Sequence, residues 1–148
     1  MIDFDLYEAK KLYPFQEQTV NQVLEELRKN GTNFNLLYQL PTGGGKTVIF
    51  SEIARRFIEQ WGKKVLILTH RIELSVQTSQ QLSAIKVANK VINSEVKLLD
   101  DQDEYQCFIA MVETLNNRLN ENDNFIADVG LVIVDEAHYN SFRKIFQF

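Results

Sequence analysis

Apolar positions run along the chain in two rhythms. After Pro14, the residues Phe15, Val20, Val23, Leu24 and Leu27 recur at helical spacing, and Asn30-Gly31 closes the run, which predicts a first helix. A second helix is predicted from Lys46, with Val48, Ile49, Ile53, Ala54, Phe57 and Ile58 as its apolar positions and Trp61-Gly62 as its end. Residues 71–85 (RIELSVQTSQQLSAI) are helical in pattern, and 113–120 (ETLNNRLN) predict a short helix. Between these lie runs of the other kind. NFNLLYQ at 33–39, KKVLILTH at 63–70, YQCFIAMV at 105–112 and DVGLVIVDE at 128–136 read as strands, and the later three are continuously apolar at their centres, as in strands covered on both faces. The stretch 86–99 is ambiguous, with room for a short strand in VINSEVKLL. DDQDE at 100–104 reads as an acidic solvated turn, ENDNF at 121–125 as a polar loop, and a helix can start in the last residues.

Strands alternating with helices predict βαβ units. The fold class expected is α/β, a parallel sheet covered by helices on both faces in three layers. The expected division is a loose arm over 1–11 and one domain over 12–148.

One join between strand and helix is unusual: QLPTGGGKT at 39–47. It can be a flexible linker that happens to meet a lysine, or a cradle for a phosphate chain. Glycines let a backbone approach an anion and turn successive N–H groups toward it, and a helix amino end adds its own free N–H groups and dipole. In the cradle, Gly43, Gly44 and Gly45 supply backbone, Lys46 supplies a point charge and Thr47 supplies a hydroxyl ligand to Mg²⁺. The spaced pattern G-x-x-x-x-G-K-[ST] is not met, because its first glycine falls at Leu40. Position favours the cradle, since a linker is not expected between a buried-type strand and an amphipathic helix. The acids Asp135 and Glu136, which follow the apolar run LVIV, favour it further. In an open parallel sheet, ligands sit outside the carboxyl ends of the strands. There Asp135 can hold Mg²⁺ through water and Glu136 can orient or deprotonate an attacking water, although two solvated acids capping a strand would look the same.

Charge narrows the picture. The net charge of −4 argues against binding nucleic acid by bulk charge, while leaving room for a local basic strip. The single cysteine, Cys107, excludes an internal disulfide and reads as a small apolar strand residue. The opening MIDFDLYEAK lacks the basic and then apolar regions of a signal peptide, and VLIL and LVIV are too short to span a bilayer. A cytoplasmic protein with no membrane partner is expected.

Together, PTGGGKT and DEAH resemble motifs I and II of superfamily 2 helicases and translocases, in the first of their two RecA-like P-loop domains. YPFQ at 13–16 resembles the R-P-Y-Q element ahead of motif I, LTHRIEL at 68–74 is similar to motif Ia, and MVETLNNRL at 111–119 resembles V-Q-T-L-x-x-R-L. The likeness runs from about Leu12 to about Phe146 and is strongest to the DEAH-type branch that includes restriction-enzyme translocase subunits and RadD-like repair helicases. It implies an ATP- and Mg²⁺-dependent motor acting on nucleic acid, DNA sooner than RNA. It implies that Gln16 reads adenine, that Thr42, Gly43, Gly44, Gly45, Lys46 and Thr47 hold the phosphates, and that Thr47 and Asp135 serve Mg²⁺. Glu136 would position the hydrolytic water, His138 would couple nucleotide state to motion, and Thr69, Arg71 and Thr114 would lie on the nucleic-acid face. Two positions depart from the pattern: Tyr13 stands for its arginine, and Glu113 stands for a glutamine beside the nucleic-acid backbone. His70 and Arg71 equally fit the start of a helix, and Trp61 fits a helix-end core residue.

The family's second RecA-like domain and its arginine finger have no counterpart after His138. The expectation is therefore half of an ATPase site, completed in cis or by a partner chain, with weak Mg-nucleotide binding and little turnover by these residues alone. A nucleotide-dependent switch module without motor activity is the alternative.

Overall fold

Pro14 opens the first helix, where its missing N–H costs nothing and its fixed φ suits the first turn. The computed structural model describes residues 12–30, 46–69, 72–99, 101–122, 125–126 and 128–134. Helix α1 spans Pro14–Asn30, with Glu17 in its first turn and Arg28 and Lys29 in its last, the arrangement that opposes the helix dipole. Its buried Val20, Val23 and Leu24 pack on Ile49 and Ile53 of α2, Lys46–Trp61. Phe15 is not part of that face. It is 53% exposed and stacks in parallel on Tyr13, with ring centroids 6.3 Å apart. It lies one position off the buried stripe that Gln16, Val20, Val23 and Leu24 define, and the apolar side chain alone hid this.

Gly62 ends α2 with φ +68° and an N–H donated to the Ile58 carbonyl at 2.9 Å. A left-handed C-cap of this kind suits glycine. Trp61 stacks on Phe57 at 4.7 Å and packs against the core, as a helix-end core residue. The chain then enters β1, Lys64–Thr69, followed by α3, Ile72–Ala84. Strand β2, Asn89–Ile92, begins earlier than the apolar letters suggest, because polar Asn89 and Lys90 open it. Asn89 is held by Ser79, whose hydroxyl donates to its Oδ1 at 2.6 Å, and it donates to the Val87 carbonyl at 2.9 Å. A 3₁₀ turn at Gln102–Glu104, β3 at Cys107–Met111, α4 at Val112–Glu121 and β4 at Val129–Val134 complete the described elements.

The four strands are all parallel, in the order β2-β3-β1-β4. Period-2 alternation divides the core into two layers. Leu66, Leu68, Phe108 and Ala110 face Val112 and Leu115 of α4, together with Phe125. Val65, Ile67, Cys107 and Ile109 face Ala54 and Phe57 of α2 and Leu82 of α3. Helices therefore cover both faces, which is why β1 and β3 read as unbroken apolar runs. Phe125, expected in a polar loop, is 2% exposed, one apolar side chain drawn from its loop into the α4 layer. Strand β4 is only partly covered, since among the described residues it pairs with β1 alone. Its register shifts by one residue at Gly130, where a Cβ would come within 2.8 Å of Lys63 Cβ and 3.1 Å of Phe57. Glycine lets the Lys63 stem cross there. The arm over 1–11 and the strand expected over 33–39 lie outside the described residues, as does any helix after residue 134.

Candidate nucleotide site

A parallel sheet sends all its strands out at one edge. Thr69 is level with Met111, and Leu68 is level with Val134, so β1, β3 and β4 end within a residue of one another. Helix α2 connects to the opposite edge, because only Gly62 and Lys63 separate Trp61 from the start of β1. Its 16 residues rise about 24 Å, against about 20 Å for the six of β1. The amino end of α2, with Lys46 and Thr47, is thereby carried back toward the carboxyl edge of the sheet.

That amino end differs electrostatically from the others. Glu17, Glu73 and Glu113 stand in the first turns of α1, α3 and α4, whereas α2 has no acid in its first turn. The positive end of its dipole is left for an external anion. Thr47 is partly exposed there. Thr42, Gly43, Gly44, Gly45, Arg71, Asp135, Glu136 and His138 lie outside the described residues. Asp135 follows directly on Val134, the last residue of β4.

Gln16 is 3% exposed, so it is not an ordinary surface residue of α1. Its Oε1 accepts the N–H of Tyr13 at 2.8 Å, half of a capping box at the helix start. Tyr13, standing where the family pattern has arginine, contributes this backbone donor whatever its side chain. Thr69 is 1% exposed, and its hydroxyl is 2.9 Å from that of Ser75, which ties the end of β1 to α3. Thr114 is partly exposed in the first turn of α4, and Glu113 beside it is exposed.

Two arginines have structural roles that spacing did not signal. Arg118, 5% exposed, donates from Nε to the Val96 carbonyl at 2.8 Å and from Nη2 to the Ser94 carbonyl at 2.6 Å, pinning the segment after β2. Arg56 links α2 to α1 through Glu17 and Asn21, and is braced by Glu52 of its own helix. Burial works to raise the Glu52 carboxyl pKa, but hydrogen bonds from Arg55 and Arg56 outweigh it and hold the pKa below its ordinary value. Only the residue types, carboxylates and arginines four apart, could have hinted at this network.

The remaining candidates resolve simply. Burial pushes the Cys107 thiol up to about 12, so it is an inert core group. The acidic turn is tethered by ion pairs, Asp101 to Lys90 at 2.9 Å and Asp103 to Lys64 at 3.1 Å. The hydrogen bond from Lys90 lowers the Asp101 pKa. No cluster of three or more potential metal ligands occurs among the described residues. No helix among them is long and apolar enough to cross a membrane.

The chain is similar in sequence and fold to known proteins. The profile of the family described as "Type III restriction enzyme, res subunit" matches residues 9–148. The chain is 34% identical over 148 residues to IRC3 of Saccharomyces cerevisiae, which bears the name of an ATP-dependent helicase; the match covers 94% of this chain and 21% of that protein. It is 27% identical over 134 residues to the ATP-dependent DNA helicase Hel308 of Pyrococcus abyssi, covering 87% of this chain and 18% of the relative. In fold it is similar to the UvsW helicase of bacteriophage T4, with TM-score 0.70 and 19% identity over 98% of this chain and 54% of that one. It is also similar to the Type ISP restriction-modification enzyme LlaGI, solved with a DNA substrate mimic, with TM-score 0.66 and 19% identity over 92% of this chain and 16% of that one.

The fold is that of an N-terminal RecA-like domain of superfamily 2 helicases. The chain belongs to the type III restriction enzyme res-subunit family. It spans about a fifth of the curated relatives it matches, 21% of IRC3 and 18% of Hel308.

Proposed function

We propose that these residues bind Mg-ATP as the first motor domain of a DNA helicase or translocase, coupling hydrolysis to movement on nucleic acid. The observation that carries the reading is the acid-free amino end of α2, opening with Lys46-Thr47 directly after three glycines. Thr47 is partly exposed, its hydroxyl oxygen is the donor type a hard cation prefers, and Asp135 would supply the second donor. When bound, Mg²⁺ neutralises charge building on the phosphates.

On this reading the backbone of Thr42 to Gly45 and the amino end of α2 bind the phosphate chain. Lys46 adds a fixed positive charge. Glu136 orients the attacking water and accepts its proton, and His138 links nucleotide state to motion. Gln16, with its amide oriented by Tyr13, reads the adenine edge. Thr69, Arg71 and Thr114 lie on the nucleic-acid face, with the Thr69 hydroxyl held against that of Ser75. DNA is favoured as the track because Hel308 is named as a DNA helicase.

Calorimetric titration with Mg-ADP, beside Lys46→Ala, tests the reading. Binding by the parent and at least about a tenfold weakening in the variant is the expected result, as for loss of one charge-assisted contact. A folded parent that binds no nucleotide would sink it.

A further inference from the structure

We infer that Arg56 is a positioning residue for base selection, registering the Gln16 end of α1 against the phosphate-binding helix. This rests on the nucleotide reading above. Three guanidinium nitrogens of Arg56 have separate partners. Nη2 donates to Glu17 Oε1 at 2.6 Å, Nη1 to Asn21 Oδ1 at 3.0 Å, and Nε to Glu52 Oε2 at 2.6 Å. The first two partners are on α1 and the third is on α2 itself, so a single planar group spans both helices. Glu52, with a side chain only 13% exposed, is also gripped by Arg55, whose Nε donates to it at 2.9 Å. Arg55 is anchored in turn on Glu59 at 2.9 Å. The fork of Arg56 is therefore oriented from below before it reaches α1.

Glu17 is the residue immediately after Gln16. The other main α1–α2 contact is apolar, through Val20 and Leu24 against Ile49 and Ile53, and dispersion contacts of this kind have little directional preference. The guanidinium fork is directional and fixes one register. A second polar tie, Arg28 to Gln60 Oε1 at 3.1 and 3.3 Å, lies at the far end of α1 and is exposed, so it leaves the Gln16 end to Arg56. Within α1, Gln16 is oriented by its bond from Tyr13. The amide thus has a fixed orientation on its helix and a fixed distance from the start of α2. These are the two conditions for reading a base whose phosphates are held by another element. Because the Glu17 side chain is 44% exposed, the bridge contributes little to stability, and its main effect is geometric.

The test measures dissociation constants for ribose-labelled fluorescent Mg-ADP and Mg-GDP in parent, Arg56→Ala, Arg56→Lys, Glu17→Ala and Lys46→Ala proteins, with a thermal melt of each. The parent is expected to prefer adenine. Arg56→Ala should cut that preference about fivefold or more with guanine affinity unchanged, the loss expected for one misplaced polar contact. Arg56→Lys restores charge without the fork, and should leave the preference as low as in Arg56→Ala. Lys46→Ala should weaken both nucleotides and keep their ratio. An unchanged ratio in Arg56→Ala, or equal loss of both nucleotides, overturns the inference. Should Arg56→Ala fail to fold, Glu17→Ala at its half-exposed site decides, with an unchanged ratio again the overturning result. A parent that binds both bases equally ends the positioning role and leaves the phosphate cradle standing. A parent that binds neither ends both.

Discussion

Arg118 carries a charge to a site only 5% exposed and spends it on two backbone carbonyls. Its third contact, Glu121 at 3.8 Å, is long and largely exposed, so the carbonyls account for most of its effect. Arg118→Ala leaves the segment after β2 without its anchor, and is expected to cost about 1–3 kcal/mol in urea unfolding. Lysine has one point charge and cannot serve two carbonyls in the same plane, so Arg118→Lys should recover only part of the loss. An unchanged midpoint in Arg118→Ala would show that water replaces the guanidinium freely. At this scale the sequence is least informative. An arginine in a motif-like stretch looks exposed and available, and burial of its head depends on where the chain passes 22 residues earlier, at Val96. Gln16 is the partial exception, since its place three residues after Tyr13 is the capping-box spacing.

Between α1 and α2 the ion network makes docking depend on pH. The Glu52 carboxyl has a folded-state pKa below its ordinary 4.5, because hydrogen bonds from Arg55 and Arg56 outweigh the cost of burial. A depressed carboxylate adds stability that is present above the unfolded value and lost as pH falls through the folded one. The parent should therefore lose melting temperature between about pH 5 and pH 3 faster than Glu52→Gln, which lacks this titration. Parallel pH profiles of the two proteins would exclude it. Elements were legible wherever a single physical cause dominated the letters. Strands β1 and β3, covered on both faces, are unbroken apolar runs, and α2 has both its face and its glycine stop in the sequence. Strand β2 was obscured because its opening residues are an asparagine satisfied by Ser79 and a lysine paired with Asp101. Phe15 and Phe125 exchanged their expected environments, since neither exposure is set by local spacing.

For the molecule as a whole, the alternation of elements does not give the order β2-β3-β1-β4, and only a 3₁₀ turn is described between β2 and β3, but it does give the single direction of the strands and so one carboxyl edge. That makes one edge the site before any side chain is considered. The motif residues then say which chemistry the edge supports, and Lys46 and Thr47 fall at the helix amino end that α2 carries toward it. The α1–α2 bridge was not readable at that level: Glu17 and Arg56 are 39 positions apart and share no motif. The order β2-β3-β1-β4 also has a kinetic consequence. No two neighbouring strands can form a hairpin, and β1 is hydrogen-bonded on one side to a strand 42 positions later at Val65–Cys107 and on the other to one 66 later at Val65–Leu131. Each of its amides bonds to one of these two long-range ladders beneath helices on both faces, so exposing the whole strand requires an opening close to global unfolding. The slowest deuterium uptake in the domain should therefore fall at Leu66, Ile67 and Leu68, and the opening free energy measured there should equal that of the entire fold.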